Sequence, residues 1–435
     1  VTNARVTAGR GLGLGLLLLA LIVGMLQPLP SQSASAQGAA GSRVPAAVKA
    51  ATSPVIVPPE LFGMQVRSIG LAAPTNLRAG AVRLWDARVS WRLVEPQRGV
   101  FTWTMLDAAV ANAQAIGASE ILYTVGVVPT WAASNMNPAL YGQGTAAHPA
   151  NNTDYLNFVT ALATRYKGRI TSYQLWNEAN LNIFYNGTPT QLADLVQQAS
   201  AAIKAVDPAA KIVAPSALTD ANGPADPSGT GFFAAFGREM QARGWPVDAV
   251  SVHLYAPSDL GPGTRVRYLR ASKSWFANYG WTGPMWDTET SYGDRRPGTN
   301  IRVYTGKKAA TYVARTYIDS MRYGVPRVFW YGWEVDILGI DLTVNGQRTR
   351  AGDAYLSISR WMSGAQWKGC KRSGRVTTCK MVRDGKRYEI KYASKRTRIK
   401  LPSGTKSWTT LDGSSYKARG GKRITLTTAP ILVRR

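Results

Sequence analysis

From residue 59 to about 362, short apolar runs alternate with longer stretches in which apolar residues recur every three or four positions. The short runs predict strands at LFGMQV (61–66), AVRLW (81–85), EILYTVGVV (120–128), SYQLWN (172–177), KIVAP (211–215), AVSVHLY (249–255), PMWDTE (284–289) and RVFWYGW (327–333). Helix-length segments such as 104–116, 153–167, 190–206, 231–243 and 306–323 lie between them, with a last helix near 352–362. Strands buried on both faces read as continuous apolar runs, and periodic segments between them read as crossover helices. Eight strands with intervening helices predict an α/β fold, a (β/α)8 barrel. A doubly wound open sheet is the alternative, but no Gly-rich phosphate turn follows the first strand.

Beyond residue 363 the texture changes. TTCKMV, YEIKYA, TRIKL, RITLTT and ILVRR are short alternating runs punctuated by Gly, Ser, Asp and Lys. They predict a small all-β sandwich over 363–435. Residues 37–58, rich in Ala, Ser and Pro, are expected to be a linker or tail.

At the N-terminus, Arg5 and Arg10 precede the apolar run GLGLGLLLLALIVGML (11–26), followed by Pro28, Pro30 and the small-residue site Ala34-Ser35-Ala36. That order predicts a secretory signal over 1–36, with an uncleaved anchor as the alternative. The expected location is outside a bacterial cell or at its envelope. In an exported chain the two cysteines, Cys370 and Cys379, are expected to form one local disulfide across a hairpin. A pair of free thiols is the bland alternative. Zinc is disfavoured, since the only histidines, His148 and His253, are far from both cysteines in sequence.

The chain has 435 residues and a formal charge of +27, unevenly spread. Between Arg360 and Arg435, 21 Lys and Arg face three acids, so +18 of the total lies there. Such a segment is either a solvated surface that blocks edge pairing or a surface held electrostatically at an anionic envelope. No nucleic-acid-binding motif is present, and specific nucleic-acid binding is not expected.

The chemistry-bearing feature is ITSYQLWNEAN (170–180), where a strand ends on Asn177-Glu178. A second acid, Glu289, closes the seventh strand. Barrel active sites lie at the C-terminal strand ends, and strands four and seven face each other there. Two carboxylates across a cleft suit glycoside hydrolysis, with Asn177 placed to bind a sugar 2-hydroxyl. Each residue has an ordinary alternative: a salt bridge for either acid or Arg83, and packing for the aromatics and histidines.

The chain also resembles clan A glycoside hydrolases. VRLWDARVSWRLVEPQRGVFTWTMLD (82–107), PTWAA (129–133) and RYKGRITSYQLWNEAN (165–180) look most like family 39, with family 5 as neighbour. The resemblance covers about 62–333 and implies a retaining mechanism, with Glu178 as acid/base and Glu289 as nucleophile. It implies that Arg83 and Tyr255 bind the nucleophile carboxylate and that His253 lines the sugar pocket. Trp333 is expected as its apolar floor, with Trp330 competing, and Trp131 as a stacking wall. Glu178 is expected to have a raised pKa because of the Glu289 charge.

His148, in the long loop 134–152, is a further substrate-binding candidate. A carbohydrate substrate is implied, with no metal or cofactor. Within family 39 the substrates range from exo-cleaved xylosides and iduronides to endo-cleaved exopolysaccharides. The long loop favours an endo-acting enzyme. A non-catalytic sugar-binding barrel and a transglycosylase are the other readings.

Overall fold

The computed structural model describes residues 55–435. The expected signal segment, and all of the expected linker before residue 55, lie outside the described residues. Eight parallel strands form the barrel: β1 Phe62–Gln65, β2 Ala81–Leu84, β3 Glu120–Thr124, β4 Ser172–Gln174, β5 Lys211–Val213, β6 Val250–His253, β7 Met285–Thr290 and β8 Val328–Tyr331. Neighbours pair in parallel from β1 through β5, and β8 pairs with β1. Between β5 and β6 closure is made by a single parallel bridge, Val213 to Ala249. Beyond it, Ala217–Asp220 pairs with the end of β6 and extends that wall upward.

Helices follow seven of the eight strands: α1 Thr104–Ala115, α2 Asn152–Arg165, α3 Pro189–Val206, α4 Phe232–Ala242, α5 Pro262–Asn278, α6 Gly306–Arg322 and α7 Arg350–Met362. Their starts are chemically marked. Thr188 and Gln191 form a reciprocal capping box on α3, with Pro189 in its first turn. Asn151 caps α2 through its side chain.

The barrel interior is layered. At the bottom, Glu120 pairs with Lys211 at 2.7 Å and Arg327 at 3.0 Å. Above lies an apolar layer of Ala81, Leu122, Val213, Ala249, Trp286 and Phe329. Gly63 belongs here, because a Cβ would come within 2.6 Å of the Phe329 ring. The next layer is polar and satisfied largely within itself. Gln174 is its hub: Nε2 donates to Ser251 at 2.8 Å and Thr288 at 3.0 Å, and Oε1 accepts from Thr124 at 2.9 Å and Arg83 at 2.9 Å. Buried polar groups are tolerated when paired in this way, and this layer is the floor of the site.

The C-terminal part is all-β. A seven-stranded antiparallel sheet is built on β9 Gln366–Ser373, β10 Val376–Arg383, β11 Lys386–Ala393 and β16 Ile431–Arg434. A separate two-stranded ribbon, β12 Thr397–Lys400 with β15 Arg423–Leu426, packs through Leu401 and Leu426 against Val433. The other face of the sheet, through Met381, Ile390 and Tyr392, joins the core shared with α6 and α7. Val55 and Ile56, within the stretch expected as linker, pair antiparallel with Trp367 and Gln366. Cys370 and Cys379 form a disulfide between β9 and β10.

Candidate active site

A cleft of about 690 Å3 opens over the C-terminal ends of the barrel strands. Glu178 and Glu289 both line it, with an oxygen of each carboxylate within 4.8 Å of the other. Glu289 is held from three sides. Arg83 Nη1 donates to its Oε2 at 2.8 Å, Gln65 Nε2 to the same oxygen at 3.3 Å, and the Tyr255 hydroxyl to Oε1 at 2.7 Å. Arg83 also donates through Nη2 to Asn177 Oδ1 at 2.6 Å, so one fully buried guanidinium fixes both the acid of β7 and the amide beside the acid of β4. Burial and the Glu289 charge raise the Tyr255 phenol well above its usual pKa, so it stays a donor.

Glu178 has a different environment. It is buried, and its Oε1 lies 2.8 Å from His253 Nδ1. Burial pushes its pKa up to about 7, against the opposing pull of Arg83 and Arg296, with Asp86 adding to the rise. This corrects the expected cause: desolvation, not the Glu289 charge, dominates. His253 is pushed down to about 3, chiefly by burial. Above that pH its contact with Glu178 is a hydrogen bond rather than an ion pair. Backbone strain marks the position too. Trp176 has φ 142° and Glu178 φ 39°, values that cost on the order of 1–3 kcal/mol each in non-glycine residues. Ser216 holds the turn, accepting from Glu178 N through Oγ at 2.9 Å and from Ala179 N through its carbonyl at 3.0 Å.

Glu178, His253 and Glu289 are, among the described residues, the one grouping with metal-ligand spacing. Arg83 and Tyr255 already occupy the Glu289 oxygens, which disfavours a resident cation.

Three candidates lie elsewhere. Trp131 sits on a short helical turn, donates to Glu95 O at 3.1 Å and packs edge-on against Trp91. Trp333 is buried against Tyr355 of α7. Strand alternation carries Phe329 and Tyr331 inward, but β8 ends at Tyr331, so Trp333 no longer follows the inward register. The competing Trp330 faces outward onto Tyr292. His148 is buried against Tyr185, its Nδ1 3.1 Å from the hydroxyl. Its loop does reach the cleft, through Leu140 and Tyr141.

Residues not anticipated fill those places. Tyr331 lines the cleft from β8, and Trp85 from the end of β2 stands edge-on to Tyr141, ring centres 5.7 Å apart. Asp86 lines it too, accepting from the Tyr141 hydroxyl and from the Tyr331 hydroxyl at 2.9 Å. The sequence signal for Gln65 and Gln174 was a polar side chain inside an apolar strand. For Asp86 it was an acid shortly after a strand end, as Glu178 is.

No protein-family description matches the sequence, and no curated protein matches it. Solved structures do. A family 39 glycoside hydrolase from Bacteroides cellulosilyticus WH2 superposes with a TM-score of 0.64 at 18% identity, covering 87% of this chain and 81% of that one. A family 39 β-xylosidase from Caulobacter crescentus gives 0.63 at 15% identity, covering 89% and 98%. A family 30 endoxylanase from Clostridium papyrosolvens gives 0.59 at 12%, covering 88% and 98%. At these identities the likeness is one of fold: the chain is a (β/α)8 barrel with an appended β domain, built as these glycoside hydrolases are.

Proposed function

We propose that this protein is a retaining glycoside hydrolase, cleaving a glycan by double displacement with Glu178 as acid/base and Glu289 as nucleophile. The observation that carries the reading is the unequal treatment of two neighbouring carboxylates. Glu178 is buried and holds its proton up to about pH 7, whereas Glu289 faces the cleft between a guanidinium, an amide and a phenol. Their oxygens lie within 4.8 Å, on the scale of retaining sites, where the carboxyl groups are about 5–5.5 Å apart, and too close for the water that an inverting site places between them.

In the first step a Glu289 oxygen bonds to the anomeric carbon as the glycosidic C–O bond breaks, and Glu178 delivers its proton to the departing oxygen. Arg83 and Tyr255 hold the attacking carboxylate in place, so little reorganisation is needed at the transition state. In the second step Glu178, now ionised, takes a proton from water. The water oxygen displaces the Glu289 ester and restores both carboxyl groups. Asn177, fixed by Arg83, is placed to bind the sugar 2-hydroxyl.

The long loop after β3 reaches the cleft through Leu140 and Tyr141, and loops on this face build substrate subsites, which supports endo action on a polysaccharide such as an exopolysaccharide or wall glycan. The N-terminal segment and the Cys370–Cys379 disulfide support export. The basic β domain supports retention at an anionic envelope. If so, the protein is released from isolated wall material by salt; retention that ignores salt contradicts it. The test of activity is product release across polysaccharides and aryl glycosides. Turnover lost in Glu289→Ala supports hydrolysis, whereas sugar binding with no turnover contradicts it.

A further inference from the structure

The cleft carries a charge opposite to that of the protein. Over the whole chain 52 Lys and Arg outnumber 25 acids, yet the cleft is lined by seven carboxylates and a single guanidinium, Arg296. Arg296 is taken by Asp294, through contacts of 2.6 and 2.9 Å, and Glu289 is matched by Arg83. Glu178 is held protonated up to about pH 7, which leaves Asp86, Asp220, Asp226 and Asp259. Among the described residues, none of these four has a Lys or Arg nitrogen within ion-pair distance.

Asp86 is the most constrained of them. It stands in the left-handed region at φ 59° directly after Trp85, and Tyr141 and Tyr331 each donate to one of its oxygens. It is only partly exposed and close enough to Glu178 to raise that group's pKa. A third carboxylate is thus fixed beside the acid pair, between aromatic walls, with no Lys or Arg in ion-pair contact among the described residues. Such a group accepts hydrogen bonds and donates none. A sugar hydroxyl would satisfy its lone pairs but leave its charge, and a uronate or sulfate would add repulsion. A cation completes it, and the Trp85, Tyr141 and Tyr331 rings favour one further.

We propose that the cleft receives a glycan bearing protonated amines, a polymer of de-N-acetylated hexosamine, and that Asp86 binds an ammonium next to the scissile bond. This rests on the glycosidase reading above and names the substrate class of that site. It also separates two surfaces of one chain: a basic β domain suited to an anionic support and an acidic cleft suited to a cationic substrate.

The experiment is calorimetric binding of glucosamine and galactosamine hexamers to the full-length protein at pH 5.5, beside their N-acetylated forms and an oligouronate. Short oligomers keep the comparison within the cleft. One of the amino hexamers is expected to bind at least about tenfold tighter than its N-acetylated form, about 1.4 kcal/mol, with the preference falling as salt rises. Asp86→Asn should remove most of that preference, and Asp226→Asn at the exposed rim should reduce it less. Equal or tighter binding of the N-acetylated or uronate oligomers overturns the proposal, as does a preference that survives Asp86→Asn. Glu289-dependent turnover of a neutral glycan without amine preference overturns this inference and leaves the hydrolase standing. Amine-selective binding without Glu289-dependent turnover does the reverse.

Discussion

Glu178 Oε1 and His253 Nδ1 lie 2.8 Å apart, both side chains buried, and no partner meets His253 Nε2 among the described residues. With His253 neutral above about pH 3 and Glu178 protonated up to about pH 7, two arrangements of protons fit the contact. If Glu178 donates, an N–H is stranded at Nε2. If Nδ1–H donates to Oε1, only a lone pair is idle. The second costs less, since buried unpaired donors are the rarer defect. It puts the Glu178 proton on Oε2, away from the histidine.

His253 is therefore a positioning residue, and its loss should affect proton delivery more than sugar binding. His253→Leu is expected to lower kcat by about ten- to a hundredfold, the worth of one hydrogen bond to an ionisable group, with a smaller change in KM. Substrates with a good leaving group, which need little protonation, should be much less affected. A uniform loss across leaving groups would mean that the substitution merely disturbs the fold.

The free enzyme needs Glu178 protonated, so kcat/KM should fall as pH rises through about 7. The same shift is a stability statement. The folded pKa lies above the unfolded value of 4.5, so the stability it contributes is fully present below 4.5 and is lost as pH rises through about 7. Glu178→Gln should abolish that loss, and near pH 8 it should gain on the wild type by about 3 kcal/mol, at 1.36 kcal/mol per pKa unit. Denaturant melts of both proteins at pH 4 and pH 8 check this. Parallel pH dependence would contradict it.

Behind the nucleophile strand, Arg265 and Asp287 form a fully buried ion pair, with the guanidinium also donating to Ser320 Oγ at 2.9 Å. Burial raises Asp287 to about 6 despite the arginine. Arg265→Met should leave that carboxyl without its counter-charge, with only the Leu254 N–H still donating to it at 3.2 Å, and cost about 3–5 kcal/mol of stability, read by urea melts. Asp287→Asn combined with Arg265→Met should cost less than Arg265→Met alone, because the stranded charge is gone.

Much of the barrel was legible because strands buried on both faces cannot hide: seven of the eight predicted runs contain their strands, the run 284–289 stops one residue short of Thr290, and β8 pairs with β1 as a closed count of eight requires. The run 249–255 shows the limit. The strand stops at His253, and the chain carries on to bring Tyr255 over Glu289. Six polar candidates, Arg83, Asn177, Glu178, His253, Tyr255 and Glu289, converge because strand ends share one face of a barrel. The aromatic candidates do not, since a tryptophan is equally at home in a core. Trp131 and Trp333 satisfy the periodicity of packing, while Trp85 and Tyr331 line the cleft. Position in a strand register separated them, and register is set by where a strand ends. Asp86 was visible as a residue but not as a group, because the tyrosines that hold it come from the loop after β3 and from β8, 55 and 245 positions along the chain.

If Glu289 is the nucleophile of a retaining hydrolase, removing its carboxyl removes the covalent step. On whichever glycan the wild type cleaves, Glu289→Ala should lose activity by about a thousandfold or more. Azide, small enough to enter the space left, should restore turnover and yield a glycosyl azide of inverted anomeric configuration. An unchanged rate in Glu289→Ala, or wild-type product of inverted configuration, would contradict the account.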